Sequence, residues 1–155
     1  MAIRKILKGN DPSLRIVCKQ ITTFDERLGQ LFDDLVETMK DARGMGLACP
    51  QVAVIKRAAV VEIDGKIIEL ANPVLISSEG EMVDNEGCLS VEDYRGIVKR
   101  PAKIKIEYFD RHGNKQTMEQ EGYSARCILH EMDHLDGILF TDKMIKRIEL
   151  KKEQE

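Results

Sequence analysis

Two histidines and a glutamate in the segment HEMDH, residues 130–134, are the side chains of this sequence best suited to chemistry. On an α-helix, residues i and i+4 share a face, so His130 and His134 can bind one metal ion together. Glu131 lies beside them, where a carboxylate can take a proton from a metal-activated water. The segment predicts metal-assisted hydrolysis. A polar helix face or a hydrogen-bonded core pair is the alternative that it leaves open.

A catalytic zinc or iron site needs a third protein ligand, and HEMDH supplies only two. No histidine follows the segment, but EGCLS at residues 86–90 contains Cys88 next to Gly87. A lone cysteine is more often a small core residue, so the residues alone leave the third ligand open.

A further segment, GMGLACPQ at residues 44–51, contains two glycines and Pro50. Glycine permits tight backbone turns and proline resists helix, so we expect a shaped loop here. A glycine-rich loop is a weak signal, and a purely structural turn explains the segment equally well.

Hydrophobic spacing predicts the elements that must position these segments. Residues 24–40 place apolar side chains three and four positions apart, which is typical of an amphipathic helix. Residues 57–70 read as two strands joined by Asp64-Gly65, and residues 103–109 with the following KQTMEQ read as a second hairpin. Strands are expected to dominate the middle of the chain.

Two more helices are expected towards the end of the chain. Residues 123–136 carry apolar side chains at helical spacing around HEMDH, with Gly137 as the stop. Residues 141–155 separate apolar from charged side chains, which predicts a short C-terminal helix. Its lysines and Arg147 could contact an RNA surface such as the ribosome, although a solvated face is the simpler interpretation.

The composition is that of an ordinary soluble chain long enough for one domain, with 155 residues, 43% hydrophobic and 33% charged. A net charge of −3 provides no broad basic field for DNA. Neither a signal-peptide pattern nor a membrane span occurs, so we expect the cytoplasm, where four scattered cysteines stay reduced.

The three segments resemble, in the same order, the signature segments of peptide deformylases, which are of the types GxGLAAPQ, EGCLS and HExDH. The resemblance continues through DPSLR, KRP and HLDGILF, so it covers nearly the whole chain. It implies one α+β domain over residues 1–155, with antiparallel β-sheets surrounding a central HExxH helix, in the short bacterial-type form. The implied reaction is hydrolytic removal of the N-formyl group from the N-terminal formylmethionine of newly synthesised polypeptides, which releases formate.

Carried onto matching positions, the resemblance implies that Cys88, His130 and His134 bind one divalent metal, with water in the fourth position. Glu131 is then the general acid and base. The resemblance favours ferrous iron, with zinc, nickel or cobalt as substitutes, because one thiolate and two imidazoles suit all four metals.

The glycine-rich segment gains a chemical role from the same resemblance. Hydrolysis of a formamide passes through a tetrahedral oxyanion, which needs fixed hydrogen-bond donors. The side-chain amide of Gln51 and the backbone N–H of Leu89 are the expected donors, together with the metal. Gly46 is expected to offer backbone contacts to an extended peptide.

The family's substrate also requires an apolar pocket for methionine and a supported metal loop. Glu86 and Arg100 match positions that pair in the family and support the loop. The candidates for the pocket walls are Met45, Tyr123, Cys127 and part of Arg126. The helical members of this set could equally be plain core.

Three positions depart from the family pattern, namely Cys49, Leu129 and Glu92, and none is a ligand or base. We expect the second thiol at Cys49 to make the protein sensitive to oxidation. A general metallopeptidase, which cleaves internal peptide bonds, and a non-catalytic metal-binding module, which closes its site with a fourth ligand, are the alternative classes.

Overall fold

The fold is α+β, as predicted, and the computed structural model describes residues 2–150. The helices are α1 (Glu26–Asp41) and α2 (Gly122–Leu135). The strands are β1 (Gly46–Ala48), β2 (Ala58–Ile63), β3 (Lys66–Glu79), β4 (Met82–Cys88), β5 (Val91–Arg100), β6 (Lys103–Phe109), β7 (Lys115–Glu121) and β8 (Met144–Glu149). None of these helices is both long and apolar enough to span a lipid bilayer.

The strands form two antiparallel sheets. One has five strands in the order β1-β2-β3-β6-β7, and the other has three in the order β4-β5-β8. Helix α2 packs against β1, β2, β6 and β7. Its Arg126 also donates to the carbonyls of Val98 on β5 and Met82 on β4. The HEMDH helix therefore lies between the sheets and contacts both.

Helix α1 forms where hydrophobic spacing predicts it. Asp25 caps its N-terminus by accepting from the Leu28 N–H, which sets the first helical residue. The apolar face is buried against β1 and β2, with Phe32 and Leu35 fully inaccessible. Burial of each such side chain contributes about 2 kcal/mol.

Both predicted hairpins are confirmed. Asp64 and Gly65 both have positive φ, 51° and 76°, as a two-residue hairpin turn of this hand requires. Ile63 then pairs with Lys66 across the turn. The second hairpin joins β6 to β7, with Phe109 opposite Lys115.

The predicted C-terminal helix is wrong, because Met144–Glu149 is strand β8. It pairs antiparallel with β5, where Gly96 lies opposite Arg147. The edge of β5 offers backbone donors and acceptors along its length, and pairing with them outweighs a weak local preference for helix. Residues 151–155 of the predicted helix lie outside the described residues.

The expected loop at residues 44–51 is also more regular than predicted. Gly46–Ala48 pairs with β2 as β1, and Cys49–Val52 is a 3-10 turn. Leu47 and Ala48 are fully buried, so pairing with β2 supplies partners for backbone groups that would otherwise be buried without them. Cys49 is fully buried in the core as well, and burial raises the pKa of its thiol, which argues against the expected sensitivity to oxidation.

Candidate metal centre and peptide-binding cleft

Helix α2 brings the two histidines together on its buried side. Their rings lie 5.0 Å apart between centroids, and both residues are buried. Burial lowers the pKa of His134 well below its usual value, which favours the neutral imidazole. The helix ends at Leu135, and Gly137 leaves the helical path with φ +74°.

Cys88, the last residue of β4, approaches the histidines from the three-stranded sheet. A register irregularity between Glu86 and Cys88 follows the regular pairing of β4 with β5. The Cys88 Sγ lies 3.3 Å from His134 Nε2, and the three candidate ligand atoms lie within 4.8 Å of one another. Tetrahedral metal coordination places sulfur and nitrogen ligands about 3.5 Å apart, so this donor set fits one metal ion.

Glu86 orients the first histidine. Its Oε1 lies 3.1 Å from His130 Nδ1, which leaves Nε2 of the ring for a metal. Burial would raise the pKa of Glu86, but hydrogen bonds from His130 and Arg100 lower it to about 2, so the carboxylate is ionised. Arg100 donates from Nε to both carboxylate oxygens, at 2.9 and 3.0 Å, and from Nη1 to Asp133. The expected pairing of Glu86 with Arg100 is therefore present in the structure.

Glu131 lies beside the histidines with only 4% of its surface exposed. Its Oε1 has no hydrogen-bond partner among the described residues. Burial is the main cause that raises the pKa of this carboxyl to about 7. A carboxyl group that titrates near neutrality can both accept and return a proton.

Gln51 lies next to the candidate ligands. Its Oε1 accepts from the Ala48 N–H at 2.9 Å, which fixes the orientation of the amide. Nε2 lies 3.1 Å from Ser90 Oγ and 3.6 Å from Cys88 Sγ. The amide donor therefore faces the same small region as the thiol.

An open cleft of about 580 Å³ adjoins the centre. Each candidate wall residue, Met45, Tyr123, Cys127 and Arg126, lines it, as do Gly46, Gln51, Leu89 and Glu131. Burial raises the pKa of the Cys127 thiol, which keeps it neutral and suited to an apolar wall. Strand β1 forms the edge of the five-stranded sheet beside this cleft.

Two residues at this site, Asp133 and Ser90, were not predicted from the sequence, and the role of a third, Arg126, was predicted only in part. Arg126, named only as part of a wall, is fully buried and lies 3.3 Å from Glu86. Asp133 pairs with Arg100, and Ser90 bonds to Gln51. Arg126 precedes His130 by one helical turn, and that spacing was a usable signal.

Three candidate ligands rather than four are typical of catalytic metal centres. Together with an adjacent buried carboxyl, they give the site the composition found in metal-dependent hydrolases.

Comparison with known proteins narrows this class. A sequence profile described as polypeptide deformylase matches residues 3–149. The chain is 48% identical over 149 residues to a peptide deformylase of Acetivibrio thermocellus, covering 96% of this chain and 88% of the relative. It is 51% identical over 146 residues to one of Caldicellulosiruptor bescii, covering 94% and 88%. The crystal structure of peptide deformylase from Thermotoga maritima superimposes with a TM-score of 0.91 at 34% identity, covering 93% of this chain and 99% of that one.

The chain therefore belongs to the polypeptide deformylase family. It is a hydrolase that acts in protein synthesis, where it removes the N-formyl group from new polypeptides.

Proposed function

We propose that Cys88, His130 and His134 hold one divalent metal and that Glu131 is the general acid and base of deformylation. The observation that carries this assignment is the convergence of the three ligand atoms within 4.8 Å beside a buried carboxylate. A bound divalent ion supplies Lewis acidity, which lowers the pKa of water and polarises the formyl carbonyl.

The protein's own groups then manage protons and charge. Glu131 removes a proton from the attacking water and delivers it to the departing amine as the C–N bond breaks. The Gln51 amide and the Leu89 N–H donate hydrogen bonds to the oxyanion that the formyl oxygen becomes when water adds to the formyl carbon. Formate and the free amino terminus are the products.

The substrate is the formylmethionyl end of a new polypeptide. Its extended backbone pairs with the edge of β1 around Gly46, in the manner of strand addition. The methionine side chain occupies the part of the cleft lined by Met45, Tyr123 and Cys127.

Ferrous iron is the proposed metal, and zinc, nickel or cobalt are substitutes. One thiolate and two imidazoles suit all of these metals, so the identity rests on the family resemblance. Metal analysis of protein purified without oxygen tests it.

We further propose that residues 1–155 act as one domain in the cytoplasm, where formylated polypeptides are made. Contact with the ribosome through the C-terminal segment, which contains Lys146 and Arg147, remains a prediction.

The two alternative classes make different predictions. A non-catalytic module needs a closed site, but among the described residues the candidate metal group has three members. A general metallopeptidase would cleave internal peptide bonds, and its products would reveal it.

The test is release of formate from a formyl-Met tripeptide by anaerobic, iron-loaded protein, with Glu131→Gln as the matched variant. We expect formate, an intact peptide backbone, and a Glu131→Gln protein that retains metal but loses most turnover. Full activity of Glu131→Gln would refute the role of this residue.

A further inference from the structure

Three consecutive residues near the N-terminus, Leu7, Lys8 and Gly9, bond to the two segments that carry the proposed oxyanion donors. We call them the N-terminal strap. The Leu7 N–H donates to the carbonyl of Gln51 at 2.7 Å, and the Gly9 N–H donates to the carbonyl of Ser90 at 2.8 Å. Between them, the Lys8 ammonium donates to the carbonyl of Leu89 at 2.8 Å.

We propose that Lys8 is a positioning residue for deformylation. By binding the Leu89 carbonyl, it fixes the backbone at the residue whose N–H is the proposed oxyanion donor. This inference rests on the proposed role of the Leu89 N–H. The carbonyl bound by Lys8 and the donating N–H flank the same Cα, in the short turn between β4 and β5. With the Ser90 carbonyl held by Gly9, rotation of the Leu89–Ser90 or the Ser90–Val91 peptide unit would break a hydrogen bond, which restricts the backbone next to the Leu89 N–H.

A second residue holds Lys8 in place. The Glu92 carboxylate lies 2.8 Å from the Lys8 ammonium, and both residues line the cleft. Their side chains are 46% and 66% exposed, respectively. Exposed ion pairs contribute little to global stability, so loss of this pair should leave the melting temperature nearly unchanged. Its expected effect is on catalysis, through the position of Lys8. The bond to a carbonyl is charge-assisted, which strengthens it locally.

The experiment compares Lys8→Met with Lys5→Met in the metal-loaded enzyme. Lys5 is exposed on the same segment and makes no side-chain bond among residues 2–150, so its variant matches the change of charge. We expect Lys8→Met to lower kcat about three- to tenfold, part of the hundredfold or more caused by removal of an oxyanion donor. KM, metal content and melting temperature should stay near parental values. Lys8→Arg should recover most of kcat because it keeps the donor.

Unchanged kcat in Lys8→Met would overturn the inference. So would a fall in kcat matched by Lys5→Met, a rise in KM alone, or an equal loss of metal. Gln51→Ala, measured alongside, distinguishes a failure of the Lys8 proposal from a failure of the proposed oxyanion donors. If Gln51→Ala loses kcat while Lys8→Met does not, only the role of Lys8 fails. If Gln51→Ala keeps full kcat, the assignment of the Gln51 amide as an oxyanion donor is wrong, whatever the result for Lys8→Met.

Discussion

Gly46 packs directly against the carboxylate of Glu131. A Cβ added at Gly46 would lie 2.9 Å from Cδ of Glu131 and closer still to Oε2. The backbone of β1 therefore serves as one wall for the proposed base, in addition to its proposed role in binding the peptide. Glycine is required here because a side chain would collide with Glu131. The backbone conformation does not require it, because Gly46 does not have a positive φ.

We expect Gly46→Ala to displace Glu131 and lower kcat by about a hundredfold, as misplacement of a reacting group by roughly 1 Å does. Metal content should not change, because the atoms nearest to the new methyl group all belong to Glu131, which is not a proposed ligand. Formate release and metal analysis on the same sample measure both. Gly29→Ala, on α1 away from the cleft, is the control and should keep parental kcat.

Cys88→Ser should weaken metal retention, because a serine hydroxyl does not ionise as readily as a thiol. The loss of affinity should exceed the ten- to hundredfold caused by removal of an outer hydrogen-bond partner of a ligand. Competition with a chelator measures it. Cys127→Ser, the control, makes the same replacement of sulfur by oxygen in the cleft wall. Equal metal loss in both variants would contradict the ligand assignment.

Glu86→Gln should destabilise the fold, because Arg100 and Arg126 would keep buried charges without their carboxylate. Removal of one partner from a buried ion network typically costs about 3–5 kcal/mol. Urea unfolding of the metal-loaded protein measures the change. Glu81→Gln breaks an exposed pair with Lys99 and should change stability by less than about 1 kcal/mol.

Asp34 should make the anchoring of the N-terminal segment depend on pH. Burial opposes its ionisation, but bonds from the Ala2 N–H, Gln30 and Arg4 hold its pKa below the usual value. A lowered pKa gives stability that is complete above about pH 4 and is lost as pH falls through the folded-state value. We expect Asp34→Asn to lower the free energy of unfolding by about 1 kcal/mol at pH 6, which thermal unfolding would measure. The difference from the parent should narrow below pH 4. A constant difference would argue against this linkage.

Local signals predicted the parts of the fold that are stabilised locally. Asp64-Gly65 marks a turn by its own backbone requirement, and the apolar spacing of α1 reports its buried face. Strand β8 escaped prediction because its partner, β5, lies about fifty residues earlier, and no pattern in β8 itself encodes that pairing. Strands β4 and β5 pair with each other across Leu89 and Ser90, and they went unassigned because that turn contains none of the residues that mark a two-residue hairpin.

The candidate site divides in the same way. HEMDH predicts two ligands and a base from helical geometry alone, whereas Cys88 came only from resemblance, because residue spacing cannot show which distant thiol meets a helix. The contacts of Arg126 with the three-stranded sheet depend on tertiary packing, so its spacing from His130 could place it on the same face of α2 but could not show its partners.

The position of HEMDH late in the chain affects how this protein is itself made. Cys88 can meet His130 and His134 only after residue 134 has been translated and has left the ribosome. A growing copy therefore lacks the proposed metal centre while its own first residues are already exposed. If such a chain starts with formylmethionine, its deformylation during synthesis requires a molecule that is already finished, so it is a reaction between two molecules.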